Sequence, residues 1–179
     1  MKLADPSLLK TDSFINGQFL SAPQNKRFTV CNPSSGERVA EVADFGADGI
    51  AFVLQQVNTS VGTSGGGIGY AGITPSFGVE FDTWQNTNRS DPVFDHIAIQ
   101  QNGDLNHAGI NNLFPATGFP PGNANIEDGL WHNLIFSWDP TTFTFQVTFD
   151  GTLIVNYSSN IVNSVFNNNP VVYWGFTAA

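Results

Sequence analysis

The residues best suited to chemistry lie in one short run, VEFDTWQNTNRSDPVFDHIAI, residues 79–99. In an extended strand, side chains two residues apart point the same way, so Glu80 and Asp82 share a face. Asn86 and Asp91 follow where such a strand would end and the chain turns, and His96 opens the next strand candidate. These polar side chains can therefore converge on one spot.

The residue types in this run suit metal ions. Carboxylate, amide and main-chain carbonyl oxygens are the ligands of Ca²⁺, which takes about six to eight of them. An imidazole beside carboxylates suits Mn²⁺ or another transition metal. Asp82 and Asp91 each have two oxygens and could bridge two ions. The same residues are also compatible with a hairpin that carries solvated acids and one surface histidine.

The run resembles the metal-binding segment of legume-type (L-type) lectins at positions 80, 82, 84, 86, 91 and 96. The surrounding frame, V-E-F-D-T-aromatic-x-N…D-P…H-I-x-I, is similar as well. The resemblance implies a transition-metal site formed by Glu80, Asp82, Asp91 and His96. It also implies a Ca²⁺ site, with waters completing both shells, formed by Asp82, Asn86, Asp91 and the main-chain carbonyl of Trp84. Ca²⁺ is the implied cofactor, with Mn²⁺ or another transition metal in the second site.

Two further segments resemble the sugar-binding parts of the same family. GADGIAFVL, residues 46–54, is similar to a strand whose aspartate accepts sugar hydroxyls, and GGGIGY, residues 65–70, to a glycine loop that approaches the sugar. The resemblance implies a carbohydrate site formed by Asp48, Gly66, Trp84 and Asn86. Asp48 would accept hydroxyl hydrogens, Gly66 and Asn86 would donate N–H groups, and the Trp84 ring would face apolar C–H groups. It also implies a cis Ala47–Asp48 peptide held by the metal.

Strand patterns dominate the region that must position these residues. FTFQVTF alternates apolar and polar residues, and Asp150-Gly151 predicts a hairpin turn into TLIVNY. Further strand candidates are IAFVLQQV, SFGVEFDTW, DHIAIQQ, LWHNLIFSW and VVYWGFTA, whereas LFPATGFPPGNAN is predicted to be a loop. We predict that the phenylalanines of FTFQVTF and three tryptophans, Trp131, Trp138 and Trp174, lie in the core.

These patterns predict an all-β fold, because strands with one apolar face are buried most simply in a two-sheet sandwich. The lectin resemblance implies a concanavalin-like jelly-roll β-sandwich of two antiparallel sheets. Relative to that family, the chain is expected to be incomplete at both ends.

The distribution of charge indicates two domains. Residues 1–44 contain five of the six basic residues and five acids, whereas residues 45–179 contain Arg89 against ten acids. This shift predicts an N-terminal segment over residues 1–45 and a lectin-like sandwich over residues 46–179.

The first segment resembles a part of another family. FINGQFLSAPQNKRFTVCNPSSGERVAEVADFG is similar to the N-terminal β-hairpin region of aldehyde dehydrogenases, which carries no catalytic residue, and the resemblance covers about residues 5–46. FINGQFL, RFTVCNP and ERVAEV are short strand candidates. Cys31, the only cysteine, falls in this region, so we expect it to pack rather than to react.

The bulk properties limit the partners. A net charge of −9 disfavours nucleic acid and anionic membrane surfaces. No stretch approaches about 20 consecutive apolar residues, so membrane insertion is not predicted. The lectin resemblance implies an extracellular protein that binds glycans or glycoconjugates, although the first twenty residues lack the apolar core of a secretory signal. Exposed sheet edges would allow a homo-oligomer.

The favoured hypothesis is a calcium-dependent carbohydrate-binding module that is not an enzyme. One alternative is a sandwich-fold enzyme similar to glycoside hydrolases, which need two carboxylates that flank the scissile bond. Glu80, Asp82 and Asp91 could supply such a pair, although their spacing fits metal ligation better. The other alternative is an inactive fusion or fragment with an aldehyde dehydrogenase-like leader.

Overall fold

The structure, a computed structural model, describes residues 13–15, 18–20, 27–31, 38–43, 48–58, 61–62, 65–120 and 125–178. The chain forms two compact units, Met1–Gly46 and Ala47–Ala179. Among the described residues, no helix has the length and apolar character needed to cross a membrane.

The first unit contains two short antiparallel strand pairs. Strand β1 (Ser13–Ile15) pairs with β2 (Gln18–Leu20), and β3 (Arg27–Cys31) pairs with β4 (Arg38–Ala43). The strand candidates RFTVCNP and ERVAEV are therefore confirmed, whereas FINGQFL contributes to two strands, and its Asn16-Gly17 lies outside the described residues. Cys31 ends β3, and its side chain lies outside the described part of the structure.

The larger sheet of the second unit has five antiparallel strands in the order β12-β5-β6-β7-β8. These strands are β5 (Gly49–Gln55), β6 (Ser76–Asp82), β7 (His96–Gln101), β8 (Asn112–Gly118) and β12 (Tyr173–Ala178). Strand β6, which carries the first metal-ligand candidates, lies at the centre of this sheet.

The smaller sheet has three antiparallel strands in the order β11-β10-β9. They are β9 (Leu134–Asp139), β10 (Thr144–Phe149) and β11 (Thr152–Ser158), and a short helix α1 (Ile161–Ser164) follows. The turn between β10 and β11 has positive φ at both central residues, 46° at Asp150 and 80° at Gly151. The predicted Asp-Gly hairpin is therefore confirmed, since this geometry matches the twist of the flanking strands.

The main core lies between the two sheets. Alternate residues of β10, Phe145, Val147 and Phe149, are buried and share a cluster with β6 residues, as the alternation predicts. The rings of Phe77 and Phe145 meet edge to face with centroids 5.2 Å apart. The predicted all-β class, with two antiparallel sheets forming a sandwich, is confirmed.

A second apolar cluster covers the other face of the larger sheet. It contains residues of β5 and of the segments that cross this face, namely Ala51, Val53, Ile68, Tyr70, Ile73 and Leu105. Because both faces of the sheet are covered, every residue of β6 is buried. The hairpin of solvated acids that the sequence left open is therefore excluded, because Glu80 and Asp82 lie on a covered face.

Several predictions about individual segments are wrong. LFPATGFPPGNAN is not a loop throughout, because residues 113–118 belong to β8. Strand β8 is an edge of the sheet, where Pro115 can be accommodated without a main-chain N–H group.

Three aromatic residues predicted to lie in the core are exposed. Trp131 precedes β9, Trp174 lies on the edge strand β12, and Phe143 precedes β10 with a positive φ of 54°. Trp138 is partly buried against the core, as predicted. Among the described residues, the smaller sheet has three strands and the larger has five, and the edge strand β12 keeps Trp174 and Phe176 exposed. Alternation within one strand does not reveal this difference.

Candidate metal centre and carbohydrate site

The predicted site residues gather at one end of the larger sheet. In the strand register Asp82, the last residue of β6, lies opposite His96, the first residue of β7. It also lies opposite Gly49, the first residue of β5. The Thr83 N–H donates to the carbonyl of Asp48 over 3.1 Å. Two segments that are distant in sequence are thus adjacent here.

The acids and histidine of the run form a buried cluster. The side chains of Asp82, Asp91 and His96 each offer a ligand atom within 4.8 Å of the other two. Glu80 lies in an equivalent group with His96 and His107. The relative exposures of Glu80, Asp82, Asp91 and His96 are 0%, 3%, 7% and 1%. Charged groups are rarely buried this deeply unless they are paired or bind a metal ion.

Protein donors fix one oxygen of each carboxylate in two members of this cluster. The Tyr70 hydroxyl donates to Oε2 of Glu80 over 2.7 Å, and the Asn86 N–H donates to Oδ2 of Asp91 over 2.6 Å. The other oxygens, Oε1 of Glu80 and Oδ1 of Asp91, are buried, and among the described residues only the His107 imidazole lies close enough to pair with them. An unsatisfied buried carboxylate oxygen is costly, and a bound cation would satisfy both atoms.

A glycine in β6 makes the Tyr70 contact possible. A Cβ atom on Gly78 would lie 2.5 Å from Cε2 of Tyr70, so the ring can cross the sheet only above a glycine. Glu80 lies two residues further along the same face, within reach of the hydroxyl.

The electrostatics of the cluster favour a cation. Burial raises the pKa of Asp82 to about 7, with the charges of Asp91 and Glu80 acting in the same direction. Burial also raises the pKa of Asp91 and lowers the pKa of His96. The only lysine or arginine in residues 45–179 is Arg89. A divalent ion would add positive charge to this strongly acidic unit, so the residues fit a metal centre.

The loop after β6 brings together the three groups predicted to hold Ca²⁺ from outside the strand, namely the Trp84 carbonyl, Asn86 and Asp91. The Asn86 side-chain amide lies 3.3 Å from the Trp84 carbonyl oxygen, and the Trp84 N–H donates to Oδ1 of Asp82 over 2.8 Å. The Asn86 main chain in turn binds Asp91. The Trp84 carbonyl, the Asn86 amide group and the Asp82 and Asp91 carboxylates are therefore neighbours, and the amide Nδ2 donates to the carbonyl.

The residues predicted to contact sugar lie beside this loop. A Cβ atom on Gly66 would lie 2.6 Å from Oδ1 of Asn86, so the glycine segment packs directly on the asparagine side chain. The Trp84 side chain is 61% exposed. Asp48 is partly exposed; burial raises its pKa, and the Arg89 charge acts in the opposite direction. The predicted cis peptide lies outside the described residues because it involves Ala47.

His107, to which the sequence assigned no role, lies in the cluster. Its Nε2 atom is 3.1 Å from Oε1 of Glu80 and 3.3 Å from Oδ1 of Asp91. Burial would lower its pKa, but the Glu80 and Asp91 carboxylates outweigh that effect and the pKa is raised. One feature of the sequence could have indicated this position of His107. Asn102-Gly103 follows β7 directly, and this turn pair, with positive φ at both residues, reverses the chain toward His96.

Comparison with known proteins identifies the family. The family model described as the legume lectin beta-barrel domain matches residues 30–179. Lectin-4 of Griffonia simplicifolia is 42% identical over 64 residues, covering 31% of this chain and 26% of that protein. A 3-sulfolactaldehyde dehydrogenase of Pseudomonas putida is 43% identical over 47 residues, covering 26% of this chain and 10% of that protein. The dehydrogenase resemblance rests on this short match, and each match spans about a quarter or less of the relative's length.

Two solved structures share the fold. Basic winged bean lectin, determined with Tn-antigen, has a TM-score of 0.55 at 21% identity and covers 94% of this chain and 75% of that chain. Winged bean acidic lectin, in complex with methyl-α-D-galactose, has a TM-score of 0.55 at 22% identity. The match covers 86% of this chain and 68% of that chain. Since the family model spans most of the sequence, the chain belongs to the L-type lectin family.

Proposed function

We propose that this chain is a calcium-dependent carbohydrate-binding module without catalytic activity. The observation that carries the proposal is the buried cluster with unsatisfied carboxylate oxygens directly beneath a surface formed by Gly66, Trp84 and Asn86. The two winged bean lectins were determined with Tn-antigen and with methyl-α-D-galactose, which supports glycans as the ligand class here.

Each residue has a distinct role in the proposed site. Ca²⁺ would be held by Asp82, Asn86, Asp91 and the Trp84 carbonyl, and would supply a fixed charge that orients the Asn86 amide. Asp48 accepts hydrogen bonds from sugar hydroxyls, and charge-assisted bonds of this kind are among the stronger ones. Asn86 and the Gly66 main chain donate N–H groups, and the exposed Trp84 ring packs on apolar C–H groups.

The burial of the acids argues against the hydrolase alternative. Glycoside hydrolases place two carboxyl groups on either side of a bound glycosidic bond. Glu80, Asp82 and Asp91 are almost entirely buried, and protein donors hold one oxygen of each. A sugar bond could not reach them without opening the sheet. Release of sugar from any glycan by the purified chain would favour the hydrolase over the lectin.

A glycan array with and without Ca²⁺ tests the proposal. The unmodified chain is expected to bind a subset of glycans in Ca²⁺ and none after chelation. Asp91→Asn should lose binding. Loss of an outer-shell partner lowers metal affinity by about 10–100-fold, and loss of a direct metal ligand should lower it further. Asp139→Asn is the control, because that carboxylate is exposed and bonds to the Thr141 main chain. Glycan binding that persists in chelator would overturn calcium dependence, and absence of all binding would favour the inactive-fusion alternative.

A further inference from the structure

We propose that His107 is a direct ligand of the transition-metal site and makes it a two-histidine centre that prefers Zn²⁺ to Mn²⁺. The inference rests on the proposed function in one respect, because the same buried cluster would hold both ions. It goes further in assigning a ligand that the lectin resemblance does not imply. That resemblance implies Glu80, Asp82, Asp91 and His96 with water, whereas here an imidazole nitrogen lies among them.

The distances around His107 are those of ligands that share one ion. Its Nε2 atom lies 3.1 Å from Oε1 of Glu80, 3.3 Å from Oδ1 of Asp91 and 3.1 Å from Nε2 of His96. Nitrogen and oxygen ligands about 2.0–2.2 Å from Zn²⁺ are separated from one another by roughly 3.0–3.5 Å. The separation of the His107 nitrogen from each of these three atoms is therefore that of two ligands in one inner coordination shell.

Hydrogen bonding accounts for only part of this arrangement, because Nε2 of His107 carries at most one proton and faces three acceptor atoms. The Glu80 and Asp91 oxygens that face His107 are buried, and among the described residues no other group lies within hydrogen-bond reach of them. Nδ1 of His96 lies 3.2 Å from the Phe94 carbonyl, where only an N–H group is favourable. In the neutral ring that proton on Nδ1 leaves the lone pair on Nε2, directed at His107. Two carboxylate oxygens and a nitrogen lone pair thus converge on the Nε2 atom of His107.

The second nitrogen of His107 also has the kind of partner that orients a metal ligand. Nδ1 lies 3.3 Å from the side-chain amide of Gln100, which is fully buried. The amide oxygen of Gln100 has no hydrogen-bond partner, and turning the amide over places that oxygen against Nδ1. Nδ1 can then donate its proton to the amide, which leaves the Nε2 lone pair free for the metal.

The main chain holds His107 in place. Its N–H donates to the Arg89 carbonyl over 2.9 Å, and its own carbonyl accepts from the Asn112 side chain over 2.6 Å. The His107 side chain is 6% exposed, and its ring meets that of His96 edge to face with centroids 4.8 Å apart. The position is built into the loop that joins β7 to β8, and it is not that of a mobile surface side chain.

A second imidazole changes which ion the centre favours. Imidazole nitrogens suit Zn²⁺ and other late first-row metals, while Mn²⁺ binds best where ligands are carboxylates and water, and lies at the weak end of the divalent affinity series. The residues proposed for Ca²⁺ offer only oxygen. The two neighbouring sites therefore differ in ligand type, and each favours a different ion.

The test compares His107→Ala with His132→Ala, a histidine outside the cluster. The full chain is stripped with chelator and dialysed in excess Ca²⁺ against equimolar Zn²⁺ and Mn²⁺, and bound metals are counted by elemental analysis. We expect about one Zn²⁺ per unmodified chain and per His132→Ala chain. His107→Ala should lose at least 10-fold in Zn²⁺ affinity by titration calorimetry. His107→Gln, of similar size, serves as the second variant if alanine destabilises the fold.

A spectroscopic measurement separates ligation from indirect effects. Co²⁺ substituted into the centre should give visible absorption bands that change in His107→Ala and stay unchanged in His132→Ala. Equal Zn²⁺ affinity and equal Co²⁺ spectra in all variants would overturn the proposal, even if glycan binding persists. Zn²⁺ binding that depends on His107 in a chain that binds no glycan would uphold it while the proposed function fails.

Discussion

The side chain of Asn86 is the point where the metal centre and the exposed surface meet. Its main-chain N–H fixes Asp91, its amide touches the Trp84 carbonyl, and Gly66 packs against its oxygen. A change in any of these contacts should therefore act on ion and sugar binding together. The glycine contact is the one that can be altered without touching a proposed metal ligand.

Gly66→Ala should disturb binding more than stability. The new Cβ would lie 2.6 Å from Oδ1 of Asn86, which is too close for a normal contact. The Asn86 side chain would therefore have to move, while the rest of the fold could stay as it is. We expect a loss of Ca²⁺ affinity of at least about 10-fold, comparable to loss of an outer-shell partner. Gly175→Ala is the control, because its Cβ meets no atom within 4 Å. Equal Ca²⁺ titrations for the two variants would contradict the proposed position of Asn86.

His132 provides a pH prediction that is separate from the metal centre. Its Nδ1 lies 2.7 Å from Oδ2 of Asp150 and its Nε2 lies 3.2 Å from Oδ1 of Asp128. The contact with Asp150, followed by that with Asp128, raises the pKa of His132 above 6.5. Because the folded pKa is raised, this contribution to stability is fully present below about pH 6.5 and is lost as pH rises through the folded pKa.

An NMR titration of the His132 ring checks this prediction. The unmodified chain should titrate above the ordinary histidine value, and Asp150→Asn should bring the midpoint down toward it. Asp139→Asn should leave the midpoint where it was, since its carboxylate bonds to the Thr141 main chain. A midpoint unaffected by Asp150→Asn would mean that the ion pair does not persist in solution.

At the scale of elements, β6 combines structural and chemical roles on its two faces. Phe77, Val79 and Phe81 fill the core between the sheets. Glu80 and Asp82 lie on the opposite face, beneath the segment that carries Tyr70. The charged face is closed off by an apolar cluster, so the acids are oriented by neighbours and shielded from water.

Gly78→Ala tests how far the sheet and this covering segment depend on each other. The added methyl group would lie 2.5 Å from the Tyr70 ring, which is fully buried and bonded to Glu80. Overpacking of this kind costs about 1–3 kcal/mol in the free energy of unfolding. Denaturant unfolding of the metal-free chain measures the loss. Gly118→Ala in β8 is the control, since its Cβ would meet Phe94 at an ordinary 3.4 Å.

The limits of sequence interpretation also follow from these elements. Period-two alternation correctly predicted the buried face of β10, because that strand has one covered face. It could not predict that β6 is covered on both faces, which depends on the remote segment around Tyr70. The ligand run was recognisable because its residues are close in sequence, whereas His107 is brought to it by a turn and by main-chain hydrogen bonds with Arg89 and Asn112.

At the scale of the whole molecule, the two sheets differ in size and leave edges exposed. The larger sheet has five strands and the smaller has three, and Trp174 and Phe176 of the edge strand β12 are exposed. Unpaired edges with exposed apolar residues favour association between chains. We therefore expect light scattering to detect a homo-oligomer at high concentration, and Trp174→Lys to shift it toward monomer. A strictly monomeric unmodified chain would exclude this edge as an interface.

The stability of the second unit should depend strongly on bound metal. Ten of the fifteen acids lie in residues 45–179, and Glu80, Asp82 and Asp91 are buried together. Without an ion, these carboxylates repel one another at close range in a medium that screens poorly. A ligand that binds only the folded state adds about 2.7 kcal/mol when its concentration is about 100 times Kd.

Thermal melts with and without Ca²⁺ measure this contribution. For a domain of about 150–250 residues, each kcal/mol changes Tm by about 2–4 °C, so saturating Ca²⁺ should raise Tm by roughly 5–11 °C. Excess chelator should remove the shift. Asp91→Asn should melt at one temperature in either buffer, because its Oδ1 atom is one of the buried oxygens that a cation would satisfy. Identical melting curves of the unmodified chain in Ca²⁺ and in chelator would contradict an intact calcium site, and would confine any sugar binding to Asp48 and the exposed Trp84 ring.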